Sequence, residues 1–328
     1  MSKTWVAGFV CALLAAASGI AITVQRVSDQ PLLSPGRDWS ELALFNPAAI
    51  RVGNRTVLLF RAQDRNHTSR IGYAASEDGL HFEIRPEPVL SPETSYEQGG
   101  GVEDPRVVQI EGTYYLTYTA YDLHSAELCM AVSKDLIHWE RKGVVLPAYK
   151  GTWNAKWTKS GAIVPTKING KWWMYYLGTR RDPDGRERDY MGLAASDDLL
   201  HWRDATDQPV LERRPGAFDS RVMEPGPAPY VTDAGILLLY NGANENLVYG
   251  PGWVLFDRND PRHVLARADH SFVLPALPWE KIGNVPNVIF LEGAVENSRN
   301  NGHALELTGY YGAADKYIGA LRISISIP

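Results

Sequence analysis

Three stretches of this chain share one tail: AASEDGLHF ending at Phe82, AVSKDLIHW ending at Trp139 and AASDDLLHW ending at Trp202. The matching serines, Ser76, Ser133 and Ser196, set a period of about 60 residues, somewhat above the roughly 40–50 usual for propeller blades. A turn signal and an alternating aromatic or β-branched run precede each tail: 54–60 (NRTVLLF), 112–119 (GTYYLTYT) and 170–176 (GKWWMYY). Runs of the same character recur at 235–240 and 303–311, and 253–265 and 317–327 are degenerate counterparts of the tail. Five sheet-forming units follow. A lone four-stranded unit cannot bury both faces, so neighbours must stack. The expected fold is all-β, a five-bladed β-propeller. A pair of β-sandwiches gives no reason to repeat a tail three times. Asp and Ser favour tight turns, so the tails, with His81, His138 and His201, read as turn and packing elements.

Each unit also opens on a polar head: Asn46-Pro47, Asp104-Pro105, a third head at Lys159, Glu224-Pro225 and a fifth around Asn287. A residue before proline is pushed toward extended backbone, and proline is tolerated at the first position of a strand. Asn46, Asp104 and Glu224 are therefore expected as rigid, extended residues at strand mouths, aimed into one central funnel. The densest head is Gly99-Gly100-Gly101-Val102-Glu103-Asp104-Pro105-Arg106, where glycines permit sharp turns and an acid–arginine pair follows.

Residues 1–24 form a separate element. After Lys3 the run from Trp5 to Val24 is uncharged, with small residues at Ala15, Ala17 and Gly19. It reads as a signal peptide or, at about 20 residues, as a membrane anchor. The body is expected to be exported, with 25–40 a linker and 41–328 the catalytic domain. Cys129 is then the only cysteine in that domain, reading as a buried small hydrophobe. A net charge of −5 leaves no basic footprint for nucleic acid. No zinc spacing, Walker loop or dinucleotide fingerprint occurs, so no cofactor and no metal are expected. The 10 Trp and 16 Tyr against 8 Phe suit stacking on sugars.

The segments FNPAAI (45–50), GVEDPRVV (101–108), YLTYTAYD (115–122), KSGAIVPTKINGKWWMYY (159–176), EPGPAPYVTDAGILLLYNGA (224–243), WEKIGNVPNVIFLEG (279–293) and YYGAAD (310–315) occur in colinear order. Together they resemble glycoside hydrolase family 130, whose five-bladed propellers phosphorolyse or hydrolyse β-mannosides with inversion. The resemblance implies that Asp104 is the general acid, delivering its proton through a sugar hydroxyl. It implies that Arg61, Arg65, Arg106 and Lys159 surround the sugar and an anion site. Asn46, Glu103, Tyr121, Asn287 and Asp315 are the further substrate-binding candidates, and the partner is a β-mannoside oligosaccharide, with inorganic phosphate as the alternative nucleophile.

A phosphorylase needs cations to hold phosphate; an inverting hydrolase needs a second carboxylate to activate water. Where the family's phosphorylases carry a His-Arg pair, this chain has Tyr176-Leu177, and where they carry glycine it has Glu224. Hydrolysis with Glu224 as base is the preferred expectation, with Glu280 second and Glu292 third as base. Phosphorolysis, with Arg180 and Arg181 as replacement cations, is the alternative. An arabinan- or fructan-cleaving propeller would need an acid where Asn46 stands, and a non-catalytic sugar-binding propeller would have lost Asp104.

Overall fold

A computed structural model describes residues 11–13, 19–36, 38–148, 153–300 and 304–327. The secondary structure of the described residues is almost all β, and its main strands fall into five antiparallel four-stranded meanders, with Tyr230–Val231 and Cys11–Leu13 as short additions to the fourth and fifth. The first comprises Ala43–Val52, Arg55–Gln63, Ser69–Ser76 and Glu83–Ile84. The second comprises Gly101–Ile110, Thr113–Tyr121, Ala126–Ser133 and Glu140–Leu146. The third comprises Thr158–Ile163, Trp172–Arg181, Glu187–Ser196 and Trp202–Asp204. The fourth comprises Val222–Pro225, Ile236–Ala243, Tyr249–Phe256 and Val264–Arg267. The fifth runs Ile289–Asn300, Ala304–Ala313 and Tyr317–Ser326, and takes its outer strand from the N-terminus, Ala21–Arg26.

That outer strand moves a boundary. The sequence reading ended one segment at 24 and began the folded body at 41. Instead Ala21–Arg26 pairs in register with Tyr317–Ser326, from Ala21 opposite Ser326 to Arg26 opposite Leu321. Ile20 and Ile22 are buried in one cluster with Leu321, Ile323 and Ile325. The stretch expected as a linker is docked as well, since Val27 N–H donates to the Ala320 carbonyl and Leu32 N–H to that of Ile318. An apolar run reads alike as a leader or as a half-buried strand, and only the waiting sheet edge separates the two. The rest of residues 1–18, apart from the backbone of Cys11–Leu13 beside Ala21–Arg26, lies outside the described residues.

The first strand of each unit faces its counterparts. Ala43–Val52 packs on Gly101–Ile110, Gly101–Ile110 on Thr158–Ile163, and Thr158–Ile163 on Val222–Pro225; the fourth unit's next two strands pack on Ile289–Asn300, which packs on Ala43–Val52. Apolar side chains fill the layers between units, led by Leu128, Met174 and Leu238 on one side and Leu239, Leu291 and Ile323 on another. Cys129 is buried and free. Close approach at the seam between the fifth and first units needs a glycine, because a side chain at Gly293 would collide with the backbone of Pro47 and Ala49.

The repeated tails are turns, as their composition suggested. In the second, the Ser133 hydroxyl accepts from the Leu136 amide, and Asp135 Oδ1 accepts from the amides of Ile137 and His138. Asp135 Oδ2 meets His138 Nδ1 at 2.7 Å. Ser76–Asp78–His81 and Ser196–Asp198–His201 repeat the arrangement. Trp139 and Trp202 each donate their indole N–H to the carbonyl three residues back, on Leu136 and Leu199.

Asp135→Ala or Asp198→Ala strips two turn amides of their acceptor and should cost about 1 kcal/mol of stability, read in a urea titration. His138→Ala and His201→Ala should leave turnover unchanged, since both rings are about 85% exposed. A drop in turnover for either histidine variant would contradict the turn assignment.

Candidate active site

The polar heads come together at the N-terminal ends of the first strands, but not with the backbone expected of them. Asn46, Asp104, Ser160 and Asn287 all adopt the left-handed region, with φ of 47°, 49°, 62° and 60°. At the first three the ladder skips residues: pairing jumps from Phe45 to Pro47, from Glu103 to Arg106 and from Lys159 to Ala162. Each of these three heads is thus a β-bulge, which re-aims a side chain out of the ladder, whereas Glu224 pairs opposite Asn241 in an unbroken ladder. Asn and Asp tolerate this conformation better than most residues. The expectation of extended backbone at Asn46 and Asp104 is therefore corrected: the bulge outweighs the proline's influence on the residue before it. Gly312 makes room for the first bulge, because a Cβ there would fall on Asn46 Oδ1.

Asp104 is the centre of the cluster. Its Oδ1 accepts from Asn46 Nδ2 at 2.9 Å and from Arg61 Nη1 at 3.2 Å. Arg61 also donates to Glu103 Oε1 at 2.5 Å and to Ser69 Oγ at 3.0 Å, and the Ser69 hydroxyl donates on to Glu103 Oε1 at 3.1 Å. Burial alone would raise the Asp104 carboxyl; Arg61, Lys159, Arg106 and the Asn46 hydrogen bond override it and lower its pKa to about 2. Glu103, buried with Asp104 as a like-charged neighbour, is raised instead, against the pull of Arg61. In the ligand-free site Asp104 is a carboxylate.

Arg106 lies behind this group. Nη1 donates to the Asp104 carbonyl at 3.1 Å and Nη2 to the Pro225 carbonyl at 2.7 Å, while Glu224 Oε1 is 3.8 Å and Glu292 Oε1 3.5 Å away. Glu224 accepts a hydrogen bond from the Ser160 hydroxyl. Its carboxyl is raised by burial, with Lys159 and Arg106 opposing. Lys159 carries the charges of Glu224, Asp104, Asp189 and Glu103 around it, and these raise its pKa against the cost of burial. Asp315, on the turn after Ala304–Ala313, is pushed up to about 7 by burial, with Arg61 opposing and Asp104 assisting. Tyr249, its hydroxyl raised by burial and by Glu224, borders the same group.

The remaining candidates separate. Tyr121 ends the strand Thr113–Tyr121 opposite Gly101, with its hydroxyl 3.5 Å from the Leu123 carbonyl. Asn287 joins through its backbone, its carbonyl accepting from the Tyr249 amide at 3.0 Å. Arg65 is 84% exposed and paired with Glu41 at 2.6 Å, so it does not join the cluster. Glu280 does not join it either. It is buried in an ion pair with Arg26 at 2.6 Å, and it accepts from the amides of Ala276 and Leu277 and from the Tyr311 hydroxyl. With its oxygens so committed, Glu280 is poorly placed to act as a base. Arg180 is held by Asp182 and Glu212, and Arg181 by Glu187, so neither replaces a phosphate ligand at this cluster. Tyr176 and Leu177 are buried in the packing between units.

Sequence reasoning did not single out Ser69, Ser160, Asp189 and Tyr249, and it placed Glu292, which lies 3.5 Å from Arg106, below Glu280. Ser160 had a signal, since it follows Lys159 in the third head; Ser69, Asp189 and Tyr249 lie on third strands, where no motif marks them. Among the described residues no group of three His, Cys, Asp or Glu side chains is arranged to hold a metal. What converges is carboxyl groups with distinct proton affinities beside buried cations, the equipment for acid-assisted cleavage of a glycosidic bond.

Known proteins point to the same chemistry. Residues 23–326 match the glycoside hydrolase family 130 model, described as β-1,4-mannooligosaccharide phosphorylase. A 1,2-β-oligomannan phosphorylase of Thermoanaerobacter sp. (strain X514) is 39% identical over 91% of this chain and 96% of its own length. The Listeria innocua β-1,2-mannobiose phosphorylase, solved with β-1,2-mannobiose, superposes with a TM-score of 0.78 at 26% identity over 91% of this chain and 96% of that one. A further structure is described by the statement that the GH130 family of mannoside phosphorylases contains glycoside hydrolases that target β-1,2 mannosidic linkages in Candida mannan. It gives 0.80 at 32% identity over 96% of both chains. With its motifs in order and residues 23–326 matched, this chain belongs to glycoside hydrolase family 130, as a β-mannoside-cleaving enzyme.

Proposed function

We infer that the five meanders close into a five-bladed β-propeller, and that its funnel cleaves β-1,2-linked mannosides by phosphorolysis, releasing mannose 1-phosphate. The ring is supported by the circuit of contacts from each unit to the next and by a cavity lined from all five units. One observation carries the reaction: curated relatives matched over nine-tenths of the chain, at 39% and 36% identity, are phosphorylases of β-1,2-mannosides. This reverses the order in which the sequence alone placed the two reactions. Asp104 is the general acid. Since it rests ionised, it must take up a proton once sugar covers the site. Lys159 and Arg106 hold the attacking phosphate.

Hydrolysis is the second reading, favoured by Glu224. The carboxyls of buried Glu103, Asp104, Glu224 and Glu292 and of half-buried Asp315 outnumber Arg61, Arg106 and Lys159, a balance that repels a phosphate dianion unless some of them are protonated. Glu224, held by Ser160, is then the base that activates water.

We also propose export. Cleavage between Ala15 and Gly19 would leave Ile20 and the strand Ala21–Arg26 to complete the fifth unit. Recovery of the secreted or periplasmic protein should give a mature N-terminus no later than Ile20; an intact N-terminus on soluble cytoplasmic protein would reject this.

Asp104→Asn keeps the shape but cannot donate a proton, so turnover on mannobiose should fall by at least about 10²-fold in protein that remains folded by circular dichroism. A folded variant with normal turnover would remove Asp104 from the reaction.

The nucleophile is decided by incubating the wild type with β-1,2-mannobiose in the presence and absence of phosphate. Phosphorolysis requires phosphate-dependent mannose 1-phosphate, and Glu224→Gln should then keep or gain activity. Phosphate-independent release of mannose, abolished in Glu224→Gln, would transfer the assignment to hydrolysis.

A further inference from the structure

Behind the catalytic cluster lies a cavity of about 480 Å³ that the reaction as described does not use. Every unit lines it with residues just past its polar head, including Ala49, Val108, Pro165, Pro227 and Ala294. It therefore sits on the axis at the opposite end of the first strands from Asn46 and Asp104. Arg106 and Glu292 form the wall between the two compartments, since both line the cavity while Arg106 also touches Asp104 and Glu224.

Glu292 is the anomaly. It is 1% exposed, and neither carboxyl oxygen has a hydrogen-bond partner; Arg106 Nε is likewise unpartnered. Its nearest cation, Arg106 Nη1, is 3.5 Å away. A buried polar group left without a partner is costly, and a cavity of this size, with Arg51, Gln109, Glu296 and Arg299 among its otherwise mostly apolar lining, has room for water to supply one. The charged groups facing Glu292 are Arg106 and Asp104 from the second unit, Glu224 from the fourth and Arg61 from the first. Arg51, Glu296 and Arg299 stand farther along the cavity. Burial, reinforced by Asp104 and Glu224, holds the Glu292 carboxyl well above the ordinary range despite Arg106 and Arg61.

A sugar bound in the funnel would stand between the front of the cluster and solvent, and acid-assisted cleavage then needs a proton on Asp104, which rests as a carboxylate. We propose that the rear cavity is a proton path into the cluster, with Glu292 exchanging protons between cavity water and Asp104 while substrate fills the mouth. The Glu292 O–H bond breaks toward a water, which passes a proton to the Asp104 carboxylate. Asp104 gives that proton to the leaving oxygen, directly or through a sugar hydroxyl, as the glycosidic C–O bond breaks and its electron pair stays on that oxygen. Glu292 takes a proton back from cavity water. The proton that the attacking phosphate or water gives up leaves at the end of the cycle, so the count closes. Glu292 touches no substrate and acts through Asp104. The inference rests on the β-mannoside reading for its reaction but not on the choice of nucleophile.

The test compares wild type, Glu292→Gln, Glu292→Asp and the cavity-filling Ala294→Trp on β-1,2-mannobiose with phosphate, from acid to alkaline pH. For Glu292→Gln, kcat should fall at least about 10-fold, less than the roughly 10²–10⁴ of a direct acid. KM should be unchanged, the pH profile of kcat should change shape and the solvent deuterium effect should grow. Glu292→Asp should restore part of kcat, and Ala294→Trp should reproduce the kcat loss without touching sugar. A Glu292→Gln profile superimposable on wild type overturns the proposal. So does a loss of the same factor at every pH with a lowered unfolding temperature, which marks a purely structural role. Infrared difference spectra of wild type against Glu292→Gln read the same carboxyl without turnover. A protonated-carboxyl band near neutral pH that shifts in D2O is expected, and its absence overturns the proposal. A wild type that cleaves no mannoside, with that band present, would instead count against the β-mannoside reading.

Discussion

The guanidinium of Arg106 is the constraint around which the axis is built. It bonds the carbonyl of Asp104 on its own strand and the carbonyl of Pro225 on the fourth unit, and it faces Glu292 of the fifth. Three units that share no hydrogen-bonded ladder are thereby held in one relative position at the point where Asp104 stands. The arginine is 3% exposed, so its charge requires the surrounding carboxyls, and their burial in turn requires it. Removing one partner of such a group leaves an uncompensated buried charge, which costs far more than the pair itself contributes.

The bulges convert that scaffold into a site. A regular strand alternates its side chains between two faces and would turn the heads into the layers between units. The left-handed residue at Asn46, Asp104 and Ser160 breaks the alternation once per strand and directs the side chains to the axis. Such conformations are held at a cost of about 1–3 kcal/mol each and persist where the surrounding packing fixes them. Here Gly312 beside Asn46 and the Arg61 bond to Asp104 do that fixing.

Electrostatics divides the carboxyls into kinds. Asp104 is ionised because Arg61, Lys159, Arg106 and Asn46 all serve it, whereas Glu103, Glu224, Glu292 and Asp315 hold their protons more tightly. The excess of carboxyls over cations speaks for water as nucleophile and the relatives speak for phosphate. Glu280, read from sequence as a possible base, instead ties Arg26 of the N-terminal strand to the fifth unit. Its contribution is to closure of the fold.

The sequence by itself determined the all-β class, the five units, the turn chemistry of the tails and the family, because these rest on local periodicity and on motifs a few residues long. It also singled out Asp104, Arg106, Lys159 and Glu224, which stand in or beside a repeated head, and Arg61 through the family resemblance; the structure brings these five together. The tertiary structure alone decided which of the candidates share one electrostatic environment. Glu280 and Arg65 carry the same side-chain chemistry as Glu224 and Arg61, and they are excluded only by where Arg26 and Glu41 lie. It also decided that the apolar N-terminal run ends in a sheet strand, since the partner of Ala21–Arg26 lies nearly 300 residues away in sequence. Proton affinity likewise depends on burial and on charges contributed by all five units, none of which a local pattern contains.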